Sequence, residues 1–318
     1  MKNIRLYKKS LVENLLLVTG THCSGKSMVS PIVASLETVE PLRKIYYIDQ
    51  INALYFLKKI SLETSIFLVR HILDLSYYEQ LIGRNMNFRL DDETSIFQSK
   101  NPKEYLKRIF SARGEKIINK YKKSKTYMLM DTHDGIWLNP VWKNLNIKNL
   151  KIINIFRNPI DIVNSWINCN HHKLEKLPLN QIPLFKYKSN LVPFYFYKEI
   201  DYYNRVLPTE KIIEMVINCV KGEMDQYKKI DKSNILRIEF DDFATNTEEY
   251  ITKLEKFINI KKTKFTKKIM LRENCPRKIS INQREIKLEK IKKKVSSHYF
   301  QKLLNFEKYF NKNKYGKK

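Results

Sequence analysis

This sequence is poor in glycine, in cysteine and in acidic residues, and it has no long apolar run. It has seven glycines in 318 residues, so the place of each is informative, because glycine belongs where the backbone needs unusual freedom. The four cysteines, Cys23, Cys169, Cys219 and Cys275, are scattered and form no C-x-x-C pair. That spacing indicates neither a disulfide framework nor a zinc site, and it fits reduced thiols. No apolar stretch approaches the ~20 residues of a membrane-spanning helix. Residues 1–13 are charged and hold no signal-peptide core, so the expected location is the cytoplasm. Acidic residues number 33 against 60 lysines and arginines, a net charge of +27. Such an excess suits nucleic acid, a membrane surface or a small anionic substrate. It equally fits a solvated basic surface, since lysines are spread along the chain with their densest run at 261–294.

Hydrophobic residues make up 43% of the chain, enough for a real core. The apolar run Leu15–Val18 reads as a strand buried on both faces. Gly20-Thr21-His22-Cys23-Ser24-Gly25-Lys26-Ser27 follows, the pattern G-x-x-x-x-G-K-S, and Val29, Ile32, Val33 and Leu36 then fall at helical spacing. A strand, a glycine loop and a helix in this order suit a phosphate site. Loop and helix-start N–H groups point at an anion, the helix dipole adds positive potential, and Lys26 and Ser27 add a charge and a hydroxyl.

Further strands are expected at 44–49, 126–131, 151–157 and 234–239, and helices at 64–82, 102–120, 208–228, 248–258 and 296–310. Residues 83–100 read as a polar connection. Strands alternating with helices predict an α/β chain with five parallel strands covered on both faces. The expectation is a single domain over residues 1–318. Its core runs over 14–260, an aromatic and proline-bearing insertion over 171–197 forms a lid or acceptor pocket, and a lysine-rich tail occupies 261–318. Cys169, His171 and His172 lack a second ligand pair for a metal and read as a solvated helix end; no metal site is expected.

The second informative stretch is Arg157-Asn-Pro-Ile-Asp-Ile-Val-Asn-Ser165-Trp166. Arg157 stands at the carboxyl end of a strand, where open α/β sheets bind ligands. Ser165 lies two helical turns further on. A forked guanidinium and a hydroxyl suit one phosphate. With these residues the chain resembles the sulfotransferase family, which uses 3′-phosphoadenosine 5′-phosphosulfate (PAPS). TGTHCSGKS at 19–27 is similar to the family's 5′-phosphosulfate loop, and RNPIDIVNSW at 157–166 to its 3′-phosphate element. ILRIEFDDFATN at 235–246 also resembles a family strand and turn. The sequence departs from the family pattern in carrying Cys23 where Arg or Lys is usual, and Lys26 in place of Thr.

The resemblance implies a P-loop kinase-like strand order and in-line transfer of a sulfuryl group from PAPS to an acceptor hydroxyl, carbohydrate-type by preference. The product would be adenosine 3′,5′-bisphosphate. His22, Cys23, Ser24, Gly25, Lys26 and Ser27 would hold the phosphosulfate, and Arg157 and Ser165 the 3′-phosphate. Two general bases compete. His133 stands where one branch of the family has K-T-H, with Asp134 beside it, and Asp49, expected at the end of the second strand, stands where other members carry Glu. The partner would be a small-molecule or glycan acceptor. The glycine loop alone also fits a P-loop kinase using ATP and Mg²⁺, for which Asp131 would be the metal acid. A basic nucleic-acid-binding protein on the same scaffold is the non-enzymatic alternative.

Overall fold

The computed structural model describes residues 10–133, 136, 139–171, 173, 182–196, 199–279 and 281–314. Asp134, His172 and Tyr197, and much of the expected insertion, lie outside them. Five parallel strands form the central sheet in the order β2-β3-β1-β4-β7: β1 is Asn14–Thr19, β2 Arg43–Lys44, β3 Met128–Thr132, β4 Asn149–Phe156 and β7 Ile235–Glu239. Two further strands, β5 (Leu184–Tyr187) and β6 (Asn190–Pro193), pair as an antiparallel hairpin.

The centre of the sheet follows from the run Leu15–Val18, all four residues being fully buried. Side chains alternate across a strand. Leu16 and Val18 therefore pack with Val29, Ile32 and Val33 of the helix Lys26–Ala34 on one face. Leu15 and Leu17 pack on the other, with Ile48, Val69 and Leu73 from the helices Tyr46–Phe56 and Leu62–Leu81. A third apolar cluster joins Phe156, the helices Pro159–Asn168 and Pro208–Tyr227, and Phe306 and Phe310 of the last helix, Ser297–Asn313. In the register, Thr19 stands level with Thr132 and Asn154. The glycine loop, His133 and Arg157 therefore all leave the sheet at its carboxyl edge.

Three expectations need correction. The second strand ends at Lys44, and Asp49 sits in the first turn of the helix Tyr46–Phe56. Tyr46, Tyr47 and Ile48 have β propensity, but burial of Ile48 and Ile51 on one helix face, in the cluster with Leu15 and Leu17, overrides it. The expected helix at 102–120 is broken into Pro102–Lys107, a short turn Arg108–Phe110, and Glu115–Lys123. Gly114, at φ 68°, takes a left-handed backbone at the break. The connection at 83–100 stands as expected, with one short turn, Ile96–Gln98. The tail is not merely a solvated basic run with one helix. It folds as Thr266–Arg272, Ile281–Lys292 and Ser297–Asn313, and Arg284 and Lys287 pair with Asp161 of the helix Pro159–Asn168.

Candidate active site

The glycine loop is shaped by contacts that only glycine permits. A Cβ on Gly20 would come within 2.1 Å of the Ile155 carbonyl oxygen, and one on Gly25 within 2.0 Å of the Phe240 ring. Gly25, at φ 106°, also precedes the helix Lys26–Ala34 in a conformation that L side chains rarely take. Cys23 is left-handed at φ 65°. The loop closes on itself through the Ser24 N–H donating to the Thr21 carbonyl at 2.9 Å. Lys26 is buried, and its Nζ donates to the Gly20 and Thr21 carbonyls at 2.7 and 3.2 Å. The Ser24 hydroxyl is fully buried with no hydrogen-bond partner among the described residues, and Ser27 is exposed. Behind the loop, Glu223 accepts a 2.8 Å bond from the Thr21 hydroxyl and a second from the Asn154 amide.

The two competing bases are in contact. His133 Nδ1 lies 3.1 Å from Asp49 Oδ2. Burial raises the Asp49 carboxyl to about 7, against the opposing pull of Lys26 and of a hydrogen bond from the His133 backbone. Burial, then the charges of Lys26 and Lys44, hold the His133 imidazole well below its ordinary value. Both effects favour the neutral imidazole, so the contact is a hydrogen bond to that ring rather than an ion pair. Asp131 is raised to about 6, chiefly by burial, with Lys44 and Lys26 opposing. Lys44, level with Asp131 in the sheet, pairs with Glu93. The acid considered for a kinase metal thus stands among lysines. Among the described residues no group of His, Cys, Asp and Glu is arranged to hold a metal.

Around His133 the loop's own histidine is stacked in a row. The His22 ring lies 4.8 Å from His133 and 4.7 Å from His171, and His171 stacks on Trp166 at 5.1 Å. Trp166 Nε1 donates to the His22 carbonyl at 3.0 Å. His171 is therefore a buried, packed residue and not part of a solvated helix end, while Cys169 is exposed. Burial, followed by His133 and Lys26, keeps His22 well below its ordinary value. Burial raises the Cys23 thiol to about 11.

Arg157 leaves β4 beside the loop. Its Nη1 donates to the Cys23 carbonyl at 3.1 Å, and its guanidinium lies 4.4 Å from the Phe240 ring centre. Ser165 donates to the Asp161 carbonyl one turn back in its own helix, at 2.9 Å, so the two members of that sequence element do not converge through a contact. A cavity of about 500 Å³ opens at Arg157 instead, lined also by Phe240, Arg277, Lys278, Arg284 and Lys287, with Asp161 and Asp241. Arg277 lies over Phe240 as well, at 5.4 Å. Arg284 and Lys287 pair with Asp161, and Arg284 with Asp241 at 2.7 Å. The sequence does not single out these C-terminal cations. Their only signal is the basic run itself, which reads equally well as a solvated surface.

No helix among the described residues is long and apolar enough to cross a membrane. No curated protein matches the sequence. Among solved structures, the chain is similar to a sulfotransferase domain from the curacin biosynthetic pathway, with 9% identity, 95% of this chain and 98% of that one covered, and a TM-score of 0.48. It is similar to the sulfotransferase STF1 of Mycobacterium tuberculosis H37Rv, with 8% identity, 87% and 76% covered, and a TM-score of 0.41. A sulfotransferase from Alicyclobacillus acidocaldarius gives 11% identity, 92% and 96% covered, and a TM-score of 0.39. The family model of the sulfotransferase domain matches residues 16–318. With nearly the whole chain inside that match, this protein belongs to the sulfotransferase family.

Proposed function

We propose that this sulfotransferase moves a sulfuryl group from PAPS to an acceptor hydroxyl, carbohydrate-type by preference, with His133 as general base and Asp49 as the residue that orients it. The observation that carries the reading is the 3.1 Å contact between Asp49 and His133 beside Lys26. PAPS, when bound, supplies the activated sulfuryl group. The residues fit such a donor: Gly20 and Gly25 let the loop turn tightly against Ile155 and Phe240, the buried Ser24 hydroxyl has no partner among the described residues, and Lys26 supplies a cation.

In-line transfer of this kind depends on positioning and charge stabilisation. The N–H groups of the loop, Ser24 and Ser27 hold the phosphosulfate end. Lys26, now held by two loop carbonyls, turns its ammonium to the charge that develops on the departing phosphate oxygen. His22 and Cys23 contribute backbone and shape to that loop. Arg157, joined by Arg277 across the Phe240 ring, takes the 3′-phosphate in the cationic cavity, with Ser165 on the adjoining helix. His133, with Nδ1–H donated to Asp49, keeps its Nε2 lone pair for the acceptor proton. Asp49 fixes that tautomer, as a buried aspartate does beside other catalytic histidines.

The test is transfer of labelled sulfate from PAPS to a panel of polyols, glycosides and phenols. Labelled products among hydroxyl acceptors support the reading. Labelling of none of them in the presence of intact PAPS overturns it.

A further inference from the structure

The helix Tyr46–Phe56 turns a polar stripe into the interior. Asp49 and Asn52 lie three residues apart, hence on one face and about 5 Å apart along the axis. They are 4% and 2% exposed. Oδ2 of Asp49 is taken by His133, but Oδ1 has no hydrogen-bond partner among the described residues. Neither the Oδ1 nor the Nδ2 of Asn52 has one. One turn beyond, Phe56 packs edge-on against Phe194 of the 171–197 insertion, with ring centres 5.4 Å apart. Buried amides and carboxylates without partners cost stability. Asparagine is also a weaker helix former than the leucine that would suit such a position. The stripe runs from the base to the insertion, and Asp49 Oδ1 and the Asn52 amide in between have no partner among the described residues.

We infer that Asn52 is a specificity-determining residue of the acceptor site: together with Asp49 Oδ1 it reads a second hydroxyl, so that the acceptor is a polyhydroxylated ring or chain. The inference rests on the sulfotransfer reading above. An asparagine amide donates and accepts, as a hydroxyl does, whereas the carboxylate oxygen only accepts. Satisfying all three atoms takes two donors and one acceptor within about one helical turn. Two hydroxyls on adjacent or alternate carbons of a sugar or polyol supply them. A phenol or an aliphatic alcohol with one hydroxyl leaves the amide unpaired. Phe56, half-buried and braced edge-on by the buried Phe194, gives an apolar surface on which the C–H face of a sugar ring rests.

The test compares methyl β-D-glucopyranoside with cyclohexylmethanol, two primary alcohols of similar bulk, in the wild type and in Asn52→Leu. The wild type is expected to favour the glycoside in kcat/KM by at least about 100-fold, because a site built to bond a hydroxyl rejects the analogue that lacks it. In Asn52→Leu that ratio collapses below about 10. Removal of a buried amide without partners leaves the melting temperature unchanged or higher. A wild-type ratio near 1, a ratio retained in the variant, or transfer to neither alcohol overturns the inference. So does a lowered melting temperature with both alcohols lost in parallel, which marks Asn52 as structural. Binding of adenosine 3′,5′-bisphosphate, measured on the same samples, separates the two levels. If the wild type binds it, failure with the alcohols falls on Asn52 alone; if it does not, the sulfotransfer reading itself has failed.

Discussion

The Asp49 carboxylate and the His133 ring meet at 3.1 Å although 84 residues separate them in the chain. One comes from the first turn of a helix and the other from the residue after β3. Each is a separate candidate for the base in the sequence; their contact is what the proposed division between base and orienting residue rests on. His133→Ala is expected to lower kcat by roughly 10²–10⁴-fold with little change in nucleotide affinity. Asp49→Asn, which can present an amide to Nδ1 and so stabilise the wrong tautomer, is expected to lower kcat by up to about 10⁴-fold. Steady-state kinetics of the two variants and of their double variant check this. The double variant should be no worse than His133→Ala alone, because the residues act as a unit. Independent, multiplying losses would contradict the pairing.

The raised Asp49 carboxyl sets a pH dependence. Below about 7 it is protonated and donates to Nδ1, which leaves the imidazole hydrogen on Nε2 and removes the lone pair needed by the acceptor. Activity is therefore expected to rise as the pH passes about 7, and the depressed His133 stays neutral throughout that range. The stability effect has the opposite sign. An aspartate in an unfolded chain titrates near ~4, so the fold binds this proton more tightly. The stabilising contribution is present below about pH 4 and is lost as the pH climbs through about 7. Urea denaturation at pH 5 and pH 8 should show a larger loss in the wild type than in Asp49→Asn.

How much of this could be read in the sequence depends on how local each feature is. β1 and the glycine loop are legible because the apolar run Leu15–Val18, the two glycines and the helix start are contiguous. The strand before Arg157 is legible for the same reason. Tyr46-Tyr47-Ile48 reads as a strand with Asp49 at its end; the helix wins through burial of Ile48 and Ile51 against partners far away in the chain. The pairing of Asp49 with His133 leaves no local trace. The cations beside Arg157 come from 277–287, more than a hundred residues later, and a basic run does not reveal that it folds back on Asp161 and Asp241. The spacing puts His171 on a solvated helix end beside Cys169, yet Trp166 and His22 flank its ring.

Anchoring should separate from chemistry. Arg157→Ala and Arg277→Ala each remove a cation from the cavity at Phe240. Each is expected to weaken binding of adenosine 3′,5′-bisphosphate by about 1.5–3 kcal/mol and to raise the KM for PAPS, with a smaller effect on kcat. Lys26→Ala is expected to lower both affinity and kcat, since its charge meets the ground-state phosphate and the charge that develops on the leaving oxygen. Calorimetric titration beside steady-state kinetics distinguishes the two patterns. Equal losses in kcat and affinity for all three would contradict the separation.

The central claim is that the glycine loop and the cationic cavity hold one nucleotide with phosphates at both the 3′ and 5′ positions. Calorimetric titration of the wild-type protein with adenosine 3′,5′-bisphosphate, and separately with ATP and Mg²⁺, tests it most directly. Binding of the bisphosphate with no binding of ATP and Mg²⁺ is the expected result. Binding of ATP and Mg²⁺ with none of the bisphosphate would contradict it.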